Sequence, residues 1–205
     1  MRTPVEIGRF RSHKASRRRL PVTVPSQVRI AQVSSPAALF ERARYFSQAQ
    51  LAELQSYEPQ ILLGSTEDLL NLAERVGKGS LNLSKLDRAA FALTDCRDAL
   101  LRDCQRVVFW QAFGVPVYEL LLGGDSVLLA AECEAYEGWH IADGITFSSV
   151  GGQLWYSTRR GHSGGTGFTG EIQAEQCPCG RDSKRLVHVA IDLEDAVRHR
   201  FRATA

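Results

Sequence analysis

Cysteine and histidine are residue types that hold metals and attack substrates, and two short stretches of this chain bring four of them together. "CEAYEGWH" places Cys133 and His140 seven residues apart with Gly138 between them. In an antiparallel layer that spacing is a hairpin, which returns the histidine toward the cysteine. "CPCG" places Cys177 and Cys179 two apart on a turn stiffened by Pro178 and released by Gly180. Three thiolates and one imidazole form a closed tetrahedral set with no position left for water, the pattern of a structural zinc site. The alternative is a buried thiol at Cys133 ending a strand, and an exposed turn carrying free thiols. Two exposed thiols flanking a proline would be prone to oxidation, and a ligand role removes that liability. Cys96 and Cys104 fall outside the set and read as packing residues on a helix. No Ser–His–Asp or Cys–His nucleophile pair stands out, since His162 lies in a glycine-rich run and His140 is taken by the metal set.

The elements that must position this set follow from periodicity. Residues 1–36 read as an irregular arm, basic and containing Pro4, Pro21, Pro25 and Pro36. A helical pattern covers about 37–57 (Leu39, Phe40, Ala43, Phe46, Leu51, Leu54) and stops at Pro59. "QILLG", "RAAFALT" and "VPVYELLL" read as buried strands. "STEDLLNLAERVG" and "RDALLRDCQRVVFWQAFG" read as helices between them, closed by Gly77 and Gly114. This β-α-β-α-β order predicts a parallel layer with right-handed crossovers. After Gly123-Gly124, short alternating segments split by glycines predict antiparallel strands, with "RRGHSGGTG" as a mobile loop. The chain closes with "LVHVAI" and a short helix, "LEDAVRHRF". The expected fold class is α/β: a short parallel layer, then an antiparallel region braced by zinc. The expected organisation is an arm over 1–36 and one α/β domain over 37–205.

Hydrophobic residues make up 44% and charged residues 23% of the 205, the balance of a soluble globular protein. The sequence offers no apolar run long enough to span a bilayer and no secretory leader, so a cytoplasmic location is expected. Net charge is +2, but residues 1–30 carry +7 and the remainder therefore −5. Arg9, Arg11, Arg17, Arg18 and Arg19 could dock the arm on an acidic protein surface, or simply solvate a tail. Nucleic acid is not the expected partner, because only Phe10 is available there for base stacking.

From about Phe46 to Leu186 the chain resembles the phenylacetate–CoA ligase branch of the adenylate-forming enzymes. The resemblance rests on "LQSYEPQILLGSTEDLLNLAE", "AFGVPVYELLLGGDSVLLAAECEAYEGWHI" and "CPCGR", in colinear order. It implies a fragment of the ligase fold, and it supports zinc at the four cysteine and histidine positions. It also implies positions for nucleotide chemistry, and these depart from the family pattern. Where the family has its Tyr-Gly-x-Thr-Glu motif, Leu121 stands for the aromatic, Gly124 for the threonine and Asp125 for the glutamate. Cys96 and Arg97 stand where an adenine-contacting Gly-Glu segment would fall. Thr169-Gly170-Glu171 resembles the ribose-binding Thr-Gly-Asp. A Ser/Thr/Gly-rich phosphate loop and the subdomain with a catalytic lysine have no counterpart in the sequence. Adenylyl transfer depends on such groups to position and neutralise the triphosphate. The expectation is therefore a pseudoenzyme without bound ATP or AMP, serving as a zinc-stabilised subunit or scaffold in a protein complex. The alternatives are one half of a split acyl-adenylating enzyme, or a small-ligand sensor with a remnant pocket.

Overall fold

The structure is a computed structural model, and it describes residues 28–33, 42–96 and 98–191. Arg9, Arg11, Arg17, Arg18, Arg19 and Arg97 lie outside the described residues, as do the segment "LEDAVRHRF", expected to be helical, and the side chain of Asp125. The chain forms two compact units: the residues up to Leu93 together with Leu101–Glu119, and Thr94–Leu100 together with Leu120 onward.

The first unit is the parallel layer. Strands β1 (Ile30–Val33), β2 (Ala43–Phe46), β3 (Ile61–Ser65), β4 (Ala89–Asp95) and β5 (Val117–Gly123) lie in the order β2-β1-β3-β4-β5. The β1–β2, β1–β3 and β3–β4 pairs are parallel. Helices α1 (Leu51–Tyr57), α2 (Thr66–Gly77) and α3 (Asp103–Phe113) join them. Ser65 caps α2, its Oγ accepting the Asp68 amide at 3.1 Å, an interaction worth about 1 kcal/mol. Leu69 and Leu72 of α2 and Phe109 and Phe113 of α3 are buried with Leu62, Ala90 and Val117 in one core. Each such side chain contributes roughly 1.5–3 kcal/mol by leaving water.

Several expectations are corrected in this unit. Residues 30–33 are not irregular but form a buried strand paired on both sides, next to the edge strand β2. The apolar spacing over 37–57 is not one helix: residues 43–46 are strand β2, and among the described residues of this span only Leu51–Tyr57 is α-helical. Pairing with β1 (Ile30↔Ala43 through Val33↔Phe46) overrides the helical spacing, and it buries Phe46 against Tyr57 at a ring separation of 5.3 Å. The third helix also starts later than its sequence pattern, at Asp103. Cys96 therefore sits in a turn after β4, and Cys104 is exposed on α3 rather than packed.

The second unit is antiparallel, in the order β5-β6-β7-β11-β10-β9-β8. Its strands are β6 (Val127–Glu132), β7 (Trp139–Ile141), β8 (Ile145–Val150), β9 (Gln153–Thr158), β10 (Ser163–Gln173) and β11 (Arg185–Ile191). Leu129, Phe147, Leu154, Tyr156, Phe168 and Leu186 form its core. The stretch expected to be a mobile loop is mostly strand: β10 begins at Ser163, opposite Ser157, and only the turn between β9 and β10 remains outside the ladder. The mixed α/β architecture, parallel first and antiparallel second, is the expected class.

Candidate metal centre

The hairpin β6–β7 pairs Ala131 with His140 and Glu132 with Trp139. Cys133 therefore lies two residues beyond the partner of His140, on the same face of the layer. The connecting turn closes through Cys133 N–H to Gly138 O at 2.8 Å. Gly138 has φ +100°, and a Cβ there would stand 2.2 Å from the carbonyl oxygen of Leu186. Only glycine lets the turn approach β11 this closely. On the other side, Gly180 N–H donates to Cys177 O at 2.8 Å and Cys177 N–H to Arg181 O at 3.2 Å. Pro178 at the second position and Gly180 at φ +83° suit this turn. It projects Cys177 and Cys179 toward the hairpin.

The four side chains meet as the spacing predicts. The ligand atoms of Cys133, His140, Cys177 and Cys179 all lie within 4.8 Å of one another, and the first three residues are buried. Cys133 Sγ and Cys177 Sγ are 3.3 Å apart, and His140 Nε2 and Cys179 Sγ 3.2 Å. The sulfur separation is far too long for a disulfide bond of about 2.05 Å, and all five cysteines are free. Tetrahedral bonds to zinc set edges of roughly 3.8 Å between sulfurs and 3.5 Å between nitrogen and sulfur. The Cys133–Cys177 and His140–Cys179 separations fall within about half an ångström of those edges, so the donor set could hold such an ion. It is the one such group among the described residues.

The surroundings orient the ligands. His140 Nδ1 lies 2.7 Å from Ser183 Oγ. With Nδ1–H donating to that hydroxyl, the lone pair of Nε2 faces the sulfurs, as a ligating histidine requires. Ala135 N–H donates to Cys133 Sγ at 3.3 Å, and Arg185 Nη1 approaches Cys177 Sγ at 3.5 Å. In the metal-free chain, burial pushes the Cys133 thiol up to about 12. Burial also tends to raise Cys177, but the Cys179 amide, the neighbouring thiols and Arg185 outweigh it and bring that thiol below its ordinary value. Burial first, then the charges of Arg181 and Arg185, holds His140 down at about 4. The imidazole is thus neutral near pH 7, the form that binds metal.

Ser183, Arg181 and Arg185 are members of this centre that the sequence reading passed over. A signal existed for Arg185, a lone arginine opening the apolar run "LVHVAI". The positions expected from the resemblance to be nucleotide remnants lie elsewhere in the second unit. Thr169, Gly170 and Glu171 follow one another on β10 at a register shift against β11. Thr169 Oγ1 lies 3.5 Å from Ala190 O, and Glu171 is exposed. Gly124 opens the short 3-10 turn that contains Asp125. Its amide donates to Tyr156 Oη at 3.1 Å, and the Tyr156 ring packs so closely on Gly123 that a Cβ there would stand 2.9 Å from Cζ.

No protein-family model and no curated protein matches this chain. Solved structures do match. The chain is similar to 2-hydroxyisobutyryl-CoA ligase, seen in an open conformation with 2-HIB-AMP and CoA, at TM-score 0.62 and 16% identity over 82% of this chain and 46% of that one. It is similar to a mutant form of coronafacic acid ligase from Pectobacterium brasiliense, at TM-score 0.56 and 12% identity over 84% of this chain and 40% of that one. It is also similar to VinN with L-aspartate, at TM-score 0.56 and 11% identity over 78% and 49%. At these identities the likeness is one of fold. The chain spans less than half the length of each of these proteins. Among the described residues, no helix is long and apolar enough to cross a membrane.

Proposed function

We propose that this chain is a zinc-braced module with a ligase-like fold, descended from the phenylacetate–CoA ligase branch, that works as a subunit or scaffold of a protein complex rather than as a catalyst. The zinc part rests on the donor set. Three cysteines and an oriented histidine converge in a buried pocket and leave no protein-free ligand position, which is the make-up of a structural rather than a catalytic zinc site.

The observation that carries the non-catalytic part is Tyr156. The resemblance would put a magnesium-assisting motif at Leu121–Asp125, and there the tyrosine ring lies on Gly123 and its hydroxyl takes the amide of Gly124. A phosphate would have to displace that buried ring to reach the backbone. Leu121 and Gly124 supply no side chain able to hold a nucleotide oxygen.

A second reading is favoured by length. A chain covering 46%, 40% and 49% of three ligase-fold proteins could be one part of a composite acyl-adenylating enzyme. Asp125, Thr169, Gly170 and Glu171 would then face a nucleotide held largely by a second polypeptide.

Pyrophosphate release separates the two readings. The protein and the native complex purified through it are assayed over a panel of aryl and aliphatic carboxylic acids. The subunit reading expects background rates from both samples. Turnover by the complex that falls when Glu171→Ala is introduced would establish the composite enzyme instead.

A further inference from the structure

We infer that Arg185 and Arg181 are the counter-cations of the metal centre, balancing the negative charge that three cysteine ligands give it. The inference rests on the reading that the cluster holds a metal. Register places Arg185 first. It stands directly opposite His140 across the β7–β11 ladder and opposite Gln173 across β10–β11. Gln173, Arg185, His140 and Ala131 thus form one row across four strands. Opposite residues in antiparallel pairs share a face, so the guanidinium is delivered to the ligand side of the layer.

Arg185 is only 5% exposed. Its Nη1 donates to Glu137 O at 2.8 Å and approaches Cys177 Sγ at 3.5 Å, its Nη2 donates to Gln173 Oε1 at 3.1 Å, and its Nε has no partner. Every oxygen in that set is neutral. The ion pairs Arg29–Glu58, Arg44–Glu53 and Lys78–Glu74 do not involve Arg185 or Arg181. A cation withdrawn from water without an anion nearby is strongly destabilising. The cysteine cluster, reached at Cys177 Sγ, is a group that can carry negative charge.

Arg181 adds a second cation to the same turn as two of the ligands. Its carbonyl oxygen accepts the Cys177 amide at 3.2 Å, and both of its Nη atoms are buried and have no hydrogen-bond partner. Metal-bound cysteines are thiolates. A zinc ion with three thiolates and a neutral imidazole carries a net charge of −1, so a loaded cluster offers these two arginines the anion that they otherwise lack.

The test measures zinc affinity of the full-length protein against a chromophoric chelator, for wild type, Arg185→Met, Arg185→Lys, Arg181→Met and Arg181→Lys. Wild-type binding is read first. A wild type that takes no zinc overturns the metal reading itself, and this inference with it. With wild type bound, the Met variants are expected to bind about ten- to a hundredfold more weakly, the range for groups supporting metal ligands. The Arg181 pair is decisive, because its Nη atoms have no hydrogen bonds to lose: Arg181→Lys should keep most of the affinity that Arg181→Met loses. It also settles the matter if Arg185→Met does not fold. Met variants that bind as wild type does, or Lys and Met variants weakened alike, overturn the charge-balancing role while leaving the metal site standing.

Discussion

At the residue scale, the centre is built from side chains whose chemistry leaves few other uses for them. Cysteine and histidine at hairpin and turn spacings were legible because a turn fixes where its ends point, and the four donors meet within 4.8 Å. The supporting residues were not legible in the same way. Ser183 reaches His140 only because the chain after the Cys177–Gly180 turn folds back, and serine in a polar loop carries no signal of its own. Two predictions belong here. Ser183→Ala should keep the fold but weaken metal binding about tenfold or more, because the imidazole loses the partner that fixes its tautomer; chelator competition reads this directly. The second concerns acid. In the metal-free chain His140 is held at about 4, against an ordinary value of 6.5. The folded state therefore takes up that proton less readily than the unfolded chain does. The stability this contributes is complete above about pH 6.5 and is lost as pH falls toward 4. Urea unfolding of metal-free protein should show that slope, reduced in His140→Gln. An identical slope in both proteins would refute the assignment.

At the scale of elements, pairing rather than local periodicity decided the outcome. Strands β3, β4 and β5 were readable as apolar runs because both faces of a parallel layer are covered. Strand β1 was not: "IAQV" is four residues in a segment whose prolines and arginines dominate its composition. Strand β2 carries exposed Arg44 and Tyr45 between Ala43 and buried Phe46, which reads equally well as one turn of an amphipathic helix. The Arg44 guanidinium lies over the Phe46 ring at 5.1 Å and the Tyr57 ring at 5.4 Å, a contact that joins strand to helix and that no local window reveals. In the second unit the hairpin turn is the sensitive point. Gly138→Ala should destabilise the protein by about 3 kcal/mol or more, because its Cβ would meet the Leu186 carbonyl and its backbone conformation is one that alanine resists. Metal binding should weaken together with stability, since Gly138 sits between two ligands. Gly77→Ala, where an added Cβ meets nothing within 4 Å, should leave both unchanged and serves as the control.

At the scale of the whole molecule, the chain shares the fold of under half of several solved structures, and within that fold it gathers four residues that could hold a metal ion. If the basic segment that opens the sequence docks on an acidic partner, association carries a salt-dependent signature. Removing residues 1–27 should weaken association with whatever co-purifies, and the loss should shrink as salt rises, because charge attraction is screened within roughly 8–10 Å at physiological ionic strength. Equal affinity of both proteins at low salt would assign the segment no part in docking. The central claim, that zinc braces this fold, has a more direct test. Elemental analysis of the purified protein, followed by thermal unfolding before and after chelation, should find one zinc per chain and a marked loss of melting temperature when it is removed. Cys179→Ser should lack the metal and melt like the chelated protein. A structural site of this kind can supply on the order of 10 kcal/mol of binding free energy to the layer that it clamps. A metal-free protein that melts as the untreated one does would contradict the account.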